Sequence, residues 1–198
     1  MLCSLVLGTA LRTLTLGGIA YTVRLEPRAA HPLQVWTGGR KVAERLERRY
    51  HAWALEVADV DGSGVDSIVV GLTKPTKYLP FPHRTIFVMK FDGHKISRKW
   101  AGSSMGRPLL EFCFGPKSLG KPQTLFTLER RLDGKAALCG NRWTGFGFAK
   151  VGEEKAWNSA SDLRCEGARL ILVANGRWIA LPWKSLLASE FSAPGSRF

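Results

Sequence analysis

Acidic side chains are scarce in this chain: 16 Asp and Glu stand against 29 Lys and Arg in 198 residues, a formal net charge of +13. That excess bears on solubility and on partners rather than on fold. It makes an anionic partner an expectation: nucleic acid, an acidic membrane surface or an acidic polymer. The basic residues are dispersed, with one denser run, Arg40–Arg49, which Glu44 and Glu47 dilute. No aromatic RNA-binding strand motif and no Cys/His finger accompanies the charge. The four cysteines, Cys3, Cys113, Cys139 and Cys165, form no CxxC pair, which excludes the common zinc spacings. Cys113, Cys139 and Cys165 lie in apolar runs, so buried free thiols are the default, with one disulfide as the alternative if the domain is exported.

Catalytic spacings are missing too. His31, His51, His83 and His94 make no HExxH or related pattern. Ser103-Ser104-Met105-Gly106 is no nucleophile elbow. Gly145-Phe146-Gly147-Phe148 lacks the third glycine and the helix of a dinucleotide loop. His83, between Pro82 and Arg84, reads as a solvated loop residue. The expectation is therefore a protein that is not an enzyme. Disorder is excluded by composition, with 45% hydrophobic and 23% charged residues.

What is present is apolar, aromatic and turn-rich: seven Trp, 21 Gly and 10 Pro. The first long apolar stretch is Met1–Val23, with Arg12 as its only charge. Three readings compete for it: a membrane anchor, a signal segment without a basic n-region, or a strand-forming piece of the domain. Length and hydropathy put the anchor or signal first, and with it a membrane tether or export. Arg12 at mid-segment would cost about 2.5–3.5 kcal/mol at a membrane centre. Residues 24–32, containing EPRAAHP, then read as a linker, 33–183 as the main domain and 184–198 as a tail.

The main region repeats. An aromatic-x-Gly turn recurs at Trp36-Thr37-Gly38, Phe91-Asp92-Gly93 and Trp143-Thr144-Gly145, spaced by 55 and then 52 residues. Each turn leads into a short strand ending in charge: RKVAERLERR, HKISRKW, FGFAKVGEEK. A more apolar strand follows: WALEVADV, LLEFCFG, SDLRCEG. Two further strands follow each of these: DSIVVGL with TIFVMKF, QTLFTLER with AALCGNRW, ARLILVAN with RWIALPW. Alternation supports strands; in Thr85–Phe91 the residues Phe87, Met89 and Phe91 share one face. Four short strands over about 50 residues is the size of a propeller blade. The fold class expected is all-β, a propeller-like array of three to four four-stranded antiparallel blades, incomplete or open. Three units and one extra strand leave closure to the terminal segments or to association of chains into a homo-oligomer. Lys41–Tyr50 contains good helix formers but falls at a strand position, and Lys184–Phe191 suits a short helix.

Asp59-Val60-Asp61-Gly62-Ser63-Gly64-Val65-Asp66-Ser67-Ile68 sets oxygen-bearing side chains on alternate positions around two glycines, between two strands. Hard oxygens so spaced suit calcium, and the strand flanks exclude an EF-hand. With these residues, VADVDGSGVDSIVVG resembles the FG-GAP/VCBS repeat, and DGHKISRKWAGSSMGRPLLEFCF and RWTGFGFAKVGE resemble the blade-to-blade pattern of uncharacterised bacterial proteins that carry it. The resemblance spans about residues 33–183 and is strongest in this loop. It implies a propeller-like binding or scaffolding module with loop-bound calcium in some members. The calcium set would be Asp59, Asp61, Ser63, Val65 and Ser67, a weak single site. Ser63 and Ser67 stand where the family often has carboxylates, and the later repeats lack the loop. The competing reading is a tight loop held by its own Asx-turn hydrogen bonds. A second candidate is the basic, aromatic, Pro-rich loop Lys74–Arg84, in which Lys77, Tyr78, Phe81 and Arg84 would grip a protein or anionic partner. The alternative function is a basic all-β nucleic-acid-binding protein.

Overall fold

The computed structural model describes residues 9–76, 79–102, 105–152 and 155–187. Its first elements correct the reading of the amino-terminal stretch. β1 (Ala10–Leu16) and β2 (Ile19–Leu25) form an antiparallel hairpin, from Ala10 opposite Leu25 to Leu16 opposite Ile19. Leu14, Tyr21, Val23 and Leu25 are buried, while Leu11 on the other face is 53% exposed and Ile19, at the hairpin end of β2, 52% exposed. From Ala10 to Leu25 the pairing thus sets Leu14, Leu16, Tyr21, Val23 and Leu25 on one face and Leu11, the threonines and Arg24 on the other, so this part of the apolar run is a strand pair. Arg12 finds Glu56, at 2.8 Å, instead of hydrocarbon. Residues 24–32 are no free linker: Arg24 and Leu25 end β2, and the Glu26 amide donates to the Pro32 carbonyl at 2.8 Å to close the turn. Among the described residues no helix is long and apolar enough to cross a membrane.

β3 (Leu33–Thr37) and β4 (Arg40–Arg45) complete the first sheet, in the order β1-β2-β3-β4. The second sheet runs β5 (Ala54–Ala58), β6 (Ser67–Lys74), β7 (His83–Phe91), β8 (Ile96–Trp100). The third runs β9 (Leu109–Phe114), β10 (Leu125–Arg130), β11 (Ala136–Trp143), with its outer edge split into β12 (Phe148–Lys150) and β13 (Lys155–Trp157). The split includes Gly152, where a Cβ would collide with the Leu186 carbonyl. The fourth sheet has three strands, β14 (Ala160–Glu166), β15 (Arg169–Ala174) and β16 (Arg177–Pro182).

The protein is thus all-β, with four small antiparallel propeller-like blades. The aromatic-x-Gly turns join third strand to fourth, so each blade opens at the apolar strand after the charged one. β1 and β2 supply the strands that make the first blade whole. Lys41–Tyr50 becomes the end of β4 and a 3-10 turn over Arg48–Tyr50. The tail begins with a second 3-10 turn, Trp183–Leu186, whose Leu186 is fully buried; residues 188–198 lie outside the described set.

The expected single domain is two compact units, one of residues up to 59 and 64–104, the other of 60–63 and 105 onward. In the first, the two blades meet at β1 and β5 and at β4 and β8. Their core holds Leu14, Val23, Leu33, Ile68, Phe87 and Phe91, with Tyr21 edge-on to Phe91 at 5.0 Å. Each such side chain contributes about 1.5–3 kcal/mol by leaving water. In the second, β9 meets β14 over Phe126, Leu128, Leu138, Leu163 and Leu172. There Cys113 and Cys165 form a disulfide, Cα–Cα 5.7 Å, while Cys139 is free and buried. Two of the three thiols expected to be free are therefore paired, because successive blades place them at matching points of facing strands.

Candidate anion-binding groove

The Asp59–Ile68 loop is tied to itself. Asp59, buried at the end of β5, accepts the Gly64 amide on Oδ2 at 2.8 Å. Asp61 Oδ1 accepts the Ser63 amide at 3.3 Å and the Ser63 hydroxyl at 2.7 Å. Gly62 has φ +75°, and a Cβ there would lie 2.7 Å from the Pro122 nitrogen, so the tight turn and the close approach both need glycine. Val65 is 43% exposed, and Ser67 is buried at the start of β6 opposite Ala58. Among the described residues no group of three or more His, Cys, Asp or Glu is placed to hold a metal. In this loop Asp59 Oδ2 and Asp61 Oδ1 are thus turned towards loop donors.

The expected binding loop divides. Lys77 and Tyr78 lie outside the described residues. Phe81 is 56% exposed, its ring edge-on to His83 at 5.9 Å. His83 is not a solvated loop residue: it is buried at the start of β7, and its Nδ1–H donates to the Phe81 carbonyl at 2.9 Å. The alternation of β7 turns position 83 inward and position 84 outward. Arg84 lays its guanidinium over the Trp53 ring, 4.6 Å from the centroid.

Arg84 opens onto a cavity of about 360 Å³ that Arg28, Arg48, His51, Trp53 and Thr73 also line. Arg28 comes from the β2–β3 turn and Arg48 from the 3-10 turn. His51, left-handed at φ 43°, ends that turn, and the Trp53 amide is anchored to the Gly71 carbonyl at 2.8 Å. A second cavity of about 500 Å³ shares His51 and Thr73 and adds Arg49, Tyr50, Lys74 and Arg98. Neither of these two adjoining cavities of the first unit has a carboxylate in its own lining.

Glu44 pairs with Lys41 and Glu56 with Arg12, away from these cavities, while Glu47 pairs with Arg49 of the second cavity at 2.9 Å. Arg28 and Arg48 make no ion pair with a described residue. Lys74 is held below the ordinary lysine range by burial and by the charge of Arg98. Arg49 is held above its ordinary range by its hydrogen bond to Tyr50 and by Glu47. A guanidinium keeps its charge and offers five N–H donors, so this lining suits an oxyanion. A third cavity of the same unit, about 410 Å³, shares Tyr50, Phe87 and Arg98 with the second, includes Glu44 and Glu47 beside Arg45, and is mixed in sign.

Sequence reasoning found Arg84 and the Arg40–Arg49 run but missed Arg28, Trp53, Lys74 and Arg98 as partners. No local signal joins them; four separate segments converge only through the pairing of β2 with β3, of β6 with β7 and of β7 with β8. No family model, no curated protein and no solved structure matches the chain.

Proposed function

We propose that the protein is a non-enzymatic binding module of the propeller-like type, taking an anionic partner in the groove of its first unit. The observation that carries this reading is the cavity lined by Arg28, Arg48 and Arg84 without an acidic residue, which shares His51 and Thr73 with a second holding Arg49, Lys74 and Arg98. The net charge of +13 draws polyanions towards the molecule. The likeness of the Asp59–Ser67 loop to FG-GAP/VCBS repeats accords with a scaffold that binds through blade loops. Among anionic partners, nucleic acid is favoured over a protein or lipid surface. Here guanidinium groups lie over Trp53 and Tyr50, at 4.6 and 5.4 Å, and such planes accept stacked bases.

The test is fluorescence anisotropy of the full chain with a single-stranded oligonucleotide, heparin and anionic vesicles, over a salt series with and without calcium. Binding to the oligonucleotide should fall steeply as salt rises. Absence of salt-dependent binding to all three polyanions would refute the reading. A rise in affinity on adding calcium, lost in Asp61→Asn, would restore a metal to the loop.

A further inference from the structure

We infer that the Arg28–Arg48–Arg84 cavity receives the terminal phosphate of a single-stranded nucleic acid, with His51 and Trp53 completing the site. The inference rests on the polyanion reading above and narrows it to one end group.

Donor count is the first argument. Three arginines and a histidine line one cavity of about 360 Å³. A backbone phosphodiester carries one charge on two free oxygens. A terminal phosphomonoester carries about −1.5 to −2 at pH 7 on three acceptor oxygens. Only the monoester has acceptors enough to engage donors from all three arginines in paired fashion.

Pre-organisation is the second. Arg84 lies over the face of Trp53 at 4.6 Å, and the Trp53 backbone N–H donates a hydrogen bond to the Gly71 carbonyl at 2.8 Å. Arg28 and Arg48 enter from two other turns with no ion pair to a described residue, so an incoming phosphate displaces no carboxylate from them. The adjoining cavity is the third. It continues the groove through His51 and Thr73 to Lys74 and Arg98. Lys74, partly desolvated and crowded by Arg98, gains from a neighbouring anion. A chain whose charge recurs at every nucleotide matches this succession. A phosphopeptide brings one dianion and leaves the second cavity's cations unanswered.

The experiment compares one oligonucleotide sequence bearing a 5′-phosphate, a 3′-phosphate or hydroxyls at both ends, with inorganic phosphate and a phosphoserine peptide as further arms. One of the phosphorylated forms should bind about tenfold tighter than the hydroxyl form, the effect of one or two charge-assisted hydrogen bonds. The double variant Arg28→Ala/Arg48→Ala should erase that preference while keeping salt-dependent binding of all three forms. Arg48→Lys should keep part of it, because charge remains but the planar fork is lost. Arg98→Ala should weaken all three forms equally. Both arginines are exposed, and unchanged circular dichroism confirms folding. Equal binding of the three forms overturns the inference. So does a preference that survives the double variant, or tighter binding of the phosphopeptide than of any oligonucleotide. Salt-dependent binding without end preference defeats this inference alone; no polyanion binding at all defeats the function proposed above.

Discussion

In the first unit β1 faces β5, and Arg12 crosses to Glu56 with two hydrogen bonds, of 3.1 and 2.8 Å. In the second, β9 faces β14, and Glu111 crosses to the amides of Asp162 and Leu163 at 3.1 and 2.6 Å, beside the Cys113–Cys165 disulfide. The glutamates belong to matching motifs, Leu55-Glu56-Val57 and Leu110-Glu111-Phe112, each on the opening strand of a blade. The same architectural joint is thus made once by a half-exposed ion pair and once by a covalent bond with a carboxylate clamp. The clamp answers a local need: Asp162 has φ 57°, and the β14–β15 pairing shifts register there, leaving amides without ladder partners. The difference teaches that a repeated strand fixes where two blades meet, while the residues on it decide how firmly.

That contrast can be broken from its strongest side first. Cys113→Ser, or reduction, removes a cross-link spanning 52 residues. Loop-closure entropy puts the loss at about 4 kcal/mol. In denaturant titrations followed by hydrogen exchange, β15 should lose protection while β6 keeps it; equal loss in both would dissolve the distinction between the units. Next, Glu111→Ala should cost about 2 kcal/mol, because the Asp162 and Leu163 amides lose their acceptor. The same assay should show exchange rising first at those two amides.

Arg12→Ala probes the weaker joint. Its side chain is 43% exposed and that of Glu56 25%, so the pair is worth only about 0.5 kcal/mol after solvent screening, and less at high salt. A loss as large as that of Glu111→Ala would show the joints to be equivalent. The smallest effect sharpens a likeness between the units. Asp92 accepts the Lys95 and His94 amides and Asp133 the Lys135 amide, each in a strand-connecting turn, and both carboxyls sit below their ordinary value of 3.8. A depressed carboxyl stabilises the fold above its unfolded pKa, and that contribution drains away as pH falls through the folded one. Asp92→Asn and Asp133→Asn should therefore lower the urea midpoint slightly at pH 6, with no difference from the parent near pH 2.

The strands from Ala54 onward were legible because alternation and apolar runs have a physical cause: one or both faces of each strand leave water. β6, β7, β10 and β11 are buried along most of their length, and their sequences read as near-continuous apolar runs. The grouping of those strands into blades was less legible, since Gly-containing turns look alike whether they join strands within a blade or lead to its outer edge. The amino-terminal hairpin was hidden because uncharged threonines and Leu11, rather than charged residues, fill most of its other face and lengthen the apolar run. The site was legible only at Arg84 and in the Arg40–Arg49 run, because its other cations are scattered over turns and strands that nothing in the local sequence links.

By itself, the amino-acid sequence determined the all-β class, the repeated short strands, the basic surface and the turn-forming glycines, since each follows from residue chemistry or short-range spacing. Only the tertiary structure decided that β1 and β2 complete a blade, that Cys113 meets Cys165, and that Arg28, Arg48 and Arg84 share one cavity. Those outcomes depend on which strands pair across long stretches of chain, and many sequences with the same local pattern could pair them otherwise.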